Sequence, residues 1–286
     1  MSLYKYVIAE RIDVLKNGSI RFSQASALND PIEVSPVFRD ITNIIPLIDD
    51  ELYSGQRIEI NSTMLGAAMA PYSVNLGEGY EERKRFEVYM GALVKRISQA
   101  FGESLGVLSL TEKPDNLLMW AHYAQQHQGF VIQFDETHGF FRQQDQDNPD
   151  LGRLLKVTYS NDRPLRASML ELTTQELFLS KGRDWEYEQE WRVLRLLTDS
   201  HVKISTPAGV VHLFSIPPDC VSGLILGCRM SLQHREEIRA FLTNDERYRN
   251  IELYQAEVDS EAYRLNIRPY DRESELDNQN LIIRID

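Results

Sequence analysis

The sequence predicts an α+β protein with a mixed, mostly antiparallel sheet and packed helices, and three observations support this. Short β-prone runs recur along the 286 residues and alternate with helical runs, without a regular strand–helix–strand rhythm. Neither GxGxxG nor GxxxxGK[ST] occurs, which disfavours a doubly wound nucleotide-binding fold. The chain is 42% apolar and 26% charged, an ordinary composition for a globular protein with a sizeable core.

The chain is predicted to begin with a strand, a short helix and a second strand. The run 3–9 (LYKYVIA) is typical of a strand, and 10–19 is typical of a helix that ends at Gly18. The run 20–23 (IRFS) predicts the second strand. A turn follows over 27–33 (ALNDPIE), because Asn, Asp and Pro all favour turns.

The region 34–104 is predicted to be a helical insertion or lid within a single domain spanning 1–286. Residues 34–80 show no clear pattern. Over 81–101, in contrast, apolar residues share one helical face, with charges on the other: Phe86, Met90, Leu93, Val94, Ile97 and Phe101.

The rest of the chain is predicted to mix strands and helices. Strands are expected over 106–111, 130–135, 155–160, 191–197, 210–216 and 222–227. Helices are expected over 116–127 (capped by Asp115), 166–181 and 231–242 (capped by Ser231). The alternating runs 251–258 and 262–270 predict a closing β-pair that belongs to the core sheet.

Charge and cysteine content narrow the class of protein. The net charge of -12 argues against binding nucleic acid mainly through its phosphates, although a local basic patch stays open. Cys220 and Cys228 have no metal-binding spacing and indicate reduced thiols. No signal peptide is evident, and no run approaches the roughly 18 apolar residues of a membrane helix. We therefore expect a cytoplasmic protein with no membrane partner.

The most informative stretch is 185–195 (WEYEQEWRVLR), where two acids precede a predicted core strand. Glu188 and Glu190 would project from the same face if the strand extends back to them. Two such carboxylates can move each other's pKa apart, or can flank a sugar carbon and stabilise positive charge on it. The alternative is a solvated strand entry, with ion-pair partners available in Arg183, Arg192 and Arg195.

The predicted helix within 119–130 (MWAHYAQQHQGF) carries a second group. Trp120 and Tyr123 share a face with His122 beside them, which indicates either core packing or a helix rim that touches a ligand. His127 follows His122 by five residues, which is not the i, i+4 spacing of a metal pair, so no metal site is predicted.

Several segments together resemble the bacterial family catalogued as domain of unknown function 2971, over about residues 3 to 230. They are LYKY, LKNGSIRFS, LNDPIE, SLTEKPDNLLMWAHYAQQHQGFVIQFD and SKGRDWEYEQEWRV. More remotely, the order of elements is similar to the ADP-ribosyltransferase fold, including the DarT-type DNA-modifying toxins. That order is a strand beginning LY, a helix ending at Gly, a strand ending in Ser, and a late strand introduced by Glu-x-Glu.

The second resemblance implies a split sheet that holds NAD as substrate, and cleavage of the nicotinamide glycosidic bond. It also implies modification of a macromolecule, either nucleic acid or protein, and a role in phage defence. Glu190 would stabilise the oxocarbenium-like transition state, and Glu188 would orient or deprotonate the acceptor. The NAD-binding residues that we expect on this basis are Lys5, Tyr6, Arg21, Ser23, His122 and Tyr123, with Trp185 a further aromatic candidate and Arg192 a further cation.

Two other classes of function stay open from the sequence. One is a non-catalytic ligand-binding or sensor module of the same fold, in which the acids are structural. The other is a metal-dependent nucleic-acid processing protein that uses Asp184, Glu188 and Glu190.

Overall fold

The computed structural model describes residues 2–30, 32–34, 37–38, 103–143, 145, 148–166, 173–207 and 209–270. The strands are β1 (Ser2–Val7), β2 (Ser19–Gln24), β3 (Val37–Phe38), β4 (Leu105–Thr111), β5 (Phe130–Asp135), β6 (Leu154–Lys156), β7 (Thr158–Ser160), β8 (Leu165–Arg166), β9 (Ser180–Gly182), β10 (Glu190–Leu196), β11 (Val202–Thr206), β12 (Gly209–Ser215), β13 (Val221–Leu226), β14 (Glu252–Val258) and β15 (Leu265–Pro269). The α-helices are α1 (Asp13–Lys16), α2 (Leu117–Tyr123), α3 (Thr174–Phe178) and α4 (Leu232–Asn244). Short 3-10 helices cover Ala9–Ile12, Ala25–Ala27, Gly139–Phe141, Arg183–Glu188, Leu197–Asp199, Pro218–Cys220 and Glu246–Tyr248.

The predicted α+β class is confirmed by one large, mostly antiparallel sheet. Its order is β11-β12-β2-β4-β1-β5-β13-β14-β15, with β10 paired to β4 and β6 paired to β10. Within this sheet β13 and β14 run parallel, and the other described pairs are antiparallel. The expected closing β-pair is also confirmed, because β14 and β15 extend this sheet.

The sheet forks at β4, and this fork creates the candidate site. One edge of β4 pairs with β10 along its whole length, from Leu105 to Thr111. The other edge is shared, because β1 pairs at Thr111 whereas β2 pairs at Val107 and Gly106. At this edge, among the described strands, residues 108–110 of β4 are paired with neither β1 nor β2, because these two strands diverge there.

Both faces of the sheet are packed, as the alternation along β5 shows. Ile132 lies in the larger apolar cluster with Ile238 of α4, whereas Val131 lies in a second cluster with Trp120 of α2. Trp120 is fully buried and donates its indole N–H to the Pro114 carbonyl at 2.8 Å. The helix that carries Tyr123 is therefore anchored against the sheet beside the fork.

Two predicted helices are shorter than expected. The helix predicted over 116–127 ends at Tyr123, since Gln125, Gln126 and His127 all have positive φ. Its cap is Asn116 rather than Asp115, because the Asn116 side chain accepts from two backbone N–H groups.

The helix predicted over 166–181 is described only as α3, whereas 165–166 and 180–182 form strands. It begins after Thr173, which forms a capping box with Glu176. The strand β11 was not predicted, because its sequence, VKIST, is largely polar. In the structure all five of its residues are exposed. Most of the predicted insertion 34–104, including the helix expected over 81–101, lies outside the described residues. Within the described part of the chain, no helix is long and apolar enough to cross a membrane.

Candidate functional site

A cavity of about 200 Å³ lies at the fork of the sheet. Strands β1, β2, β4 and β10 contribute its walls, together with α2 and the turn before residue 34. Its lining is rich in polar and ionisable side chains: Tyr4, Lys5, Tyr6, Ser23, Asn29, Glu33, Ser109, Thr111, Tyr123, Lys181, Glu188, Glu190 and Arg192, with Ala27, Leu28, Leu110 and Met119.

The two acids reach this cavity from different backbone conformations. Glu188 is the last residue of a 3-10 helix and Glu190 is the first residue of β10, so the strand does not extend back to both acids and the condition for their lying on one strand face is not met. Gln189 between them is left-handed, with φ 47° and ψ 51°. Such a conformation is uncommon for a residue with a Cβ, and here it turns the chain so that both neighbouring side chains are buried.

Glu190 is held by two cations. Arg192 donates from Nε to Glu190 Oε1 at 2.8 Å and from Nη2 to Oε2 at 2.9 Å, while Lys181 donates to Oε2 at 3.0 Å. Arg192 is 1% exposed and Glu190 5% exposed, so this is a buried bidentate ion pair. The backbone N–H of Glu190 also donates to the Tyr159 hydroxyl at 2.8 Å.

Arg192 also connects Glu190 to the turn after β2 and to the end of α3. Its Nη1 donates to the Phe178 carbonyl at 2.6 Å, and its Nη2 also pairs with Glu33. Glu33 comes from the turn after β2, is 2% exposed, and lies 3.9 Å from the Lys181 ammonium. Three carboxylates and two cations thus form one buried cluster, in which Arg192 is committed to protein partners at all three nitrogens.

Glu188 has a different set of partners. Tyr123 donates its hydroxyl to Glu188 Oε1 at 2.5 Å, and Lys181 donates to Oε2 at 2.6 Å. The Glu188 backbone carbonyl accepts from the Thr111 hydroxyl, also at 2.5 Å. Asn29 and Tyr123 both line the cavity, so the turn after β2 also lies near the Glu188 site.

Burial and charge together set the protonation of the cluster. Burial alone would raise the pKa of Glu190, but Arg192 and Lys181 outweigh it and lower this pKa to about 2. Burial would lower the pKa of Lys181, but the three carboxylates outweigh it and raise this pKa. Burial raises the pKa of Tyr123, and the Glu188 charge raises it further, so Tyr123 stays a hydrogen-bond donor.

Lys5 ties one arm of the fork, β1, to β4. Its ammonium donates to the Ser109 carbonyl at 3.0 Å, from β1 across to β4. Burial lowers the pKa of Lys5 to about 8, although Glu190 and Glu188 partly oppose this change. Lys5 is therefore a cavity-lining amine that titrates near physiological pH.

The structure brings together six of the eight residues predicted for the site. They are Lys5, Tyr6, Ser23, Tyr123, Glu188 and Glu190. The other two, Arg21 and His122, do not line the cavity, and His122 is exposed on the outer face of α2. Tyr6 is largely engaged elsewhere, because its hydroxyl donates to the Lys113 carbonyl at 2.7 Å.

Two further candidates from the sequence have other partners. Trp185 is not part of the cavity wall and instead lies with its ring 5.0 Å from the Lys181 ammonium. Arg192 was considered as a cation for a pyrophosphate, but its nitrogens are already bound to Glu190, Glu33 and Phe178.

Sequence reasoning missed Lys181 and Glu33, the two residues that complete the cluster. Both lie in segments that carry the family resemblance, LNDPIE and SKGRDWEYEQEWRV, but nothing in either segment indicates that the two residues meet. Lys181 lies in a segment predicted as helix, and Glu33 is separated from Arg192 by 159 positions. The available signal was the lysine in SKGRDWEYEQE, which precedes Glu188 by seven residues in the same quoted stretch.

The segment that supplies most of this cluster also carries the sequence signature of a family. Residues 119–193 match the sequence model of a protein family described as protein of unknown function (DUF2971). This match confirms the family expected from the sequence, over about a quarter of the chain. The DUF2971 segment includes Tyr123, Lys181, Glu188, Glu190 and Arg192, whereas Glu33 and Lys5 lie outside it. The comparisons with curated proteins and with solved structures gave no match.

The donor set does not favour a metal centre. In the parts of the chain that the structure describes, no group of three His, Cys, Asp or Glu side chains is placed to hold a metal ion. Glu33, Glu188 and Glu190 approach one another, but Lys181 and Arg192 lie between them. The metal-dependent alternative therefore draws no support from the described residues.

Proposed function

We propose that this protein is an ADP-ribosyltransferase-like enzyme that cleaves NAD between nicotinamide and ribose and transfers ADP-ribose to a macromolecule. The observation that carries the proposal is the convergence of Glu188, Glu190, Lys5 and Ser23 on one cavity where the sheet forks. These residues come from β1, β2 and the entry to β10, the three places that the resemblance implies.

The chemistry requires positioned negative charge near the ribose carbon C1′. When the bond from C1′ to nicotinamide nitrogen breaks, its electron pair leaves with nicotinamide and positive charge develops on the ribose. A nucleophile of the acceptor then bonds to C1′ and gives its proton to a base, for which the Glu188 carboxylate is the candidate. Glu188 and Glu190 supply carboxylates fixed by buried hydrogen bonds, which is the kind of preorganised charge that stabilises such a transition state.

The cavity fits part of the substrate. A volume of about 200 Å³ is below the roughly 300–1,000 Å³ usual for ligand pockets, so it would hold the nicotinamide ribose rather than all of NAD. The Tyr6 and Tyr123 rings line it, and Lys5 is the cavity cation that is bound to a neutral carbonyl rather than to a carboxylate. Lys5 is therefore the residue available for a phosphate.

A second candidate function is favoured by the same ion pairs. Because both oxygens of Glu190 are bonded to Arg192 and Lys181, the acids also suit a structural role in a ligand-binding module without turnover.

The deciding experiment measures nicotinamide release from NAD by the purified protein, with and without cell extract. We expect release by the wild type and its loss in Glu190→Gln. Glu186→Gln is the matched control, since Glu186 lies in the same segment but is 53% exposed and outside the cavity. Release that depends on extract would indicate transfer to a macromolecule. NAD binding without release under any condition would instead establish the ligand-binding module.

A further inference from the structure

The two cavity carboxylates differ in how much hydrogen-bonding capacity remains to them. An ionised carboxylate offers about four acceptor positions. Glu190 receives Nε of Arg192 on Oε1, and Nη2 of Arg192 and the ammonium of Lys181 on Oε2. From the described residues, these three donors fill both positions of Oε2 and leave one position on Oε1, beside the Arg192 guanidinium.

Glu188 keeps acceptor capacity. From the described residues its carboxylate receives two hydrogen bonds, one from Tyr123 on Oε1 and one from Lys181 on Oε2. Both partners are donors, and each oxygen retains a second position. Both acids line the cavity, so a hydroxyl that enters it meets more open acceptor positions on Glu188 than on Glu190.

The surrounding contacts hold the Glu188 carboxylate in place. Helix α2, which carries Tyr123, is tied to the 3-10 helix Arg183–Glu188, because the Asn116 amide donates to the Tyr187 carbonyl at 3.1 Å. Lys181 joins Glu188 to Glu190 through a single ammonium. Such an arrangement presents an acceptor in a defined direction, as recognition of a hydroxyl group requires.

We propose that Glu188, rather than Glu190, accepts the hydrogen bonds of the ligand's hydroxyl groups, with Lys181 as the positioning residue that holds it. This inference rests on the proposed function, in which those hydroxyls belong to the nicotinamide ribose of NAD. Glu190 then acts as a fixed anion behind Glu188, without direct contact to the ribose hydroxyls.

The test is a double-mutant cycle between protein and ligand. Dissociation constants are measured by calorimetry for the wild type, Glu188→Gln and Glu190→Gln. The ligands are NAD and its analogues that lack the 2′ or the 3′ hydroxyl of the nicotinamide ribose. A hydrogen bond to a charged group makes a difference of about 10-fold or more in affinity. We therefore expect the wild type to prefer NAD over one analogue by that factor, Glu188→Gln to lose the preference, and Glu190→Gln to keep it.

The outcomes separate the inference from the proposed function. A wild type that binds no NAD removes the proposed function and this inference with it. A wild type that binds NAD, together with a preference that survives Glu188→Gln and disappears in Glu190→Gln, overturns the inference alone. If Glu188→Gln does not fold, Glu188→Asp replaces it, because it keeps the charge but withdraws the carboxylate by one methylene. If Glu190→Gln does not fold, Glu33→Gln is the control expected to keep the preference.

Discussion

Replacing Arg192 with methionine should destabilise the protein severely. The guanidinium is 1% exposed and neutralises two buried carboxylates, Glu190 and Glu33, while also capping the Phe178 carbonyl. Methionine fills similar space but leaves both carboxylates without this cation. Removing one partner of a buried ion pair costs about 3–5 kcal/mol, because the remaining charge is left uncompensated. At about 2–4 °C per kcal/mol for a chain of this size, the melting temperature should fall by roughly 6–20 °C.

The measurement is thermal and urea unfolding followed by circular dichroism, with Arg195→Met as the matched control. Arg195 lies on the same strand but donates to neutral groups, the Phe140 carbonyl at 3.2 Å and the Gln143 amide oxygen at 2.9 Å. Its guanidinium also lies 4.5 Å from the centre of the Phe140 ring. Because its loss leaves no carboxylate uncompensated, it should cost less than the loss of Arg192, about 1–2 kcal/mol. The double variant Arg192→Met with Glu190→Gln should recover part of the loss, since it removes one of the stranded charges. Equal costs for the two arginines, or no recovery in the double variant, would refute the buried-charge argument.

Three further predictions concern the backbone and pH. Gln189→Gly should keep or raise the free energy of unfolding, whereas Gln189→Val should lower it by about 1–2 kcal/mol. The reason is that a left-handed φ of 47° strains any residue with a branched Cβ. Similar stabilities of the two variants in thermal unfolding would argue against this conformation. Burial lowers the pKa of Lys5 from 10.5 to about 8, so the folded state releases this proton at a lower pH than the unfolded state does. The free energy of unfolding should therefore rise with pH between about 8 and 10.5. Lys5→Met should remove this rise and should be more stable than the wild type at neutral pH. The check is the urea midpoint of each protein as a function of pH. Two curves that coincide would contradict the prediction. Gly129→Ala should destabilise by more than 1 kcal/mol, because its Cβ would lie 2.1 Å from the Val7 carbonyl oxygen; unchanged thermal unfolding would show that the backbone can yield there.

The strands that frame the site could be predicted because their residues alternate. Leu3 and the Tyr4–Tyr6 pair mark the two faces of β1, and Ile20 and Phe22 mark the buried face of β2. Such patterns arise from local geometry, in which successive side chains of a strand point to opposite faces. The end of helix α2 was harder to predict, since no Gly or Pro occurs between Tyr123 and Gly129, while three residues with positive φ end the helix.

The acid pair shows where local reasoning stopped. That Glu188 and Glu190 lie close together was expected, but for a reason that the structure replaces. A strand would have set them side by side, whereas the left-handed Gln189 and the shared ammonium of Lys181 do so here. A single sequence carries no sign of such a left-handed residue when it is not glycine.

By itself, the sequence determined the α+β class, most of the strands, the DUF2971 signature and the presence of two acids before β10. Only the tertiary structure decided which charges meet. Glu33 and Arg192 are 159 positions apart, and they pair because the fork of β1 and β2 from β4 brings the turn after β2 over the start of β10. Pairing of this kind depends on strand order and register, which are set by packing across the whole sheet. No local pattern around either residue could therefore reveal that the acids are held in a buried cluster.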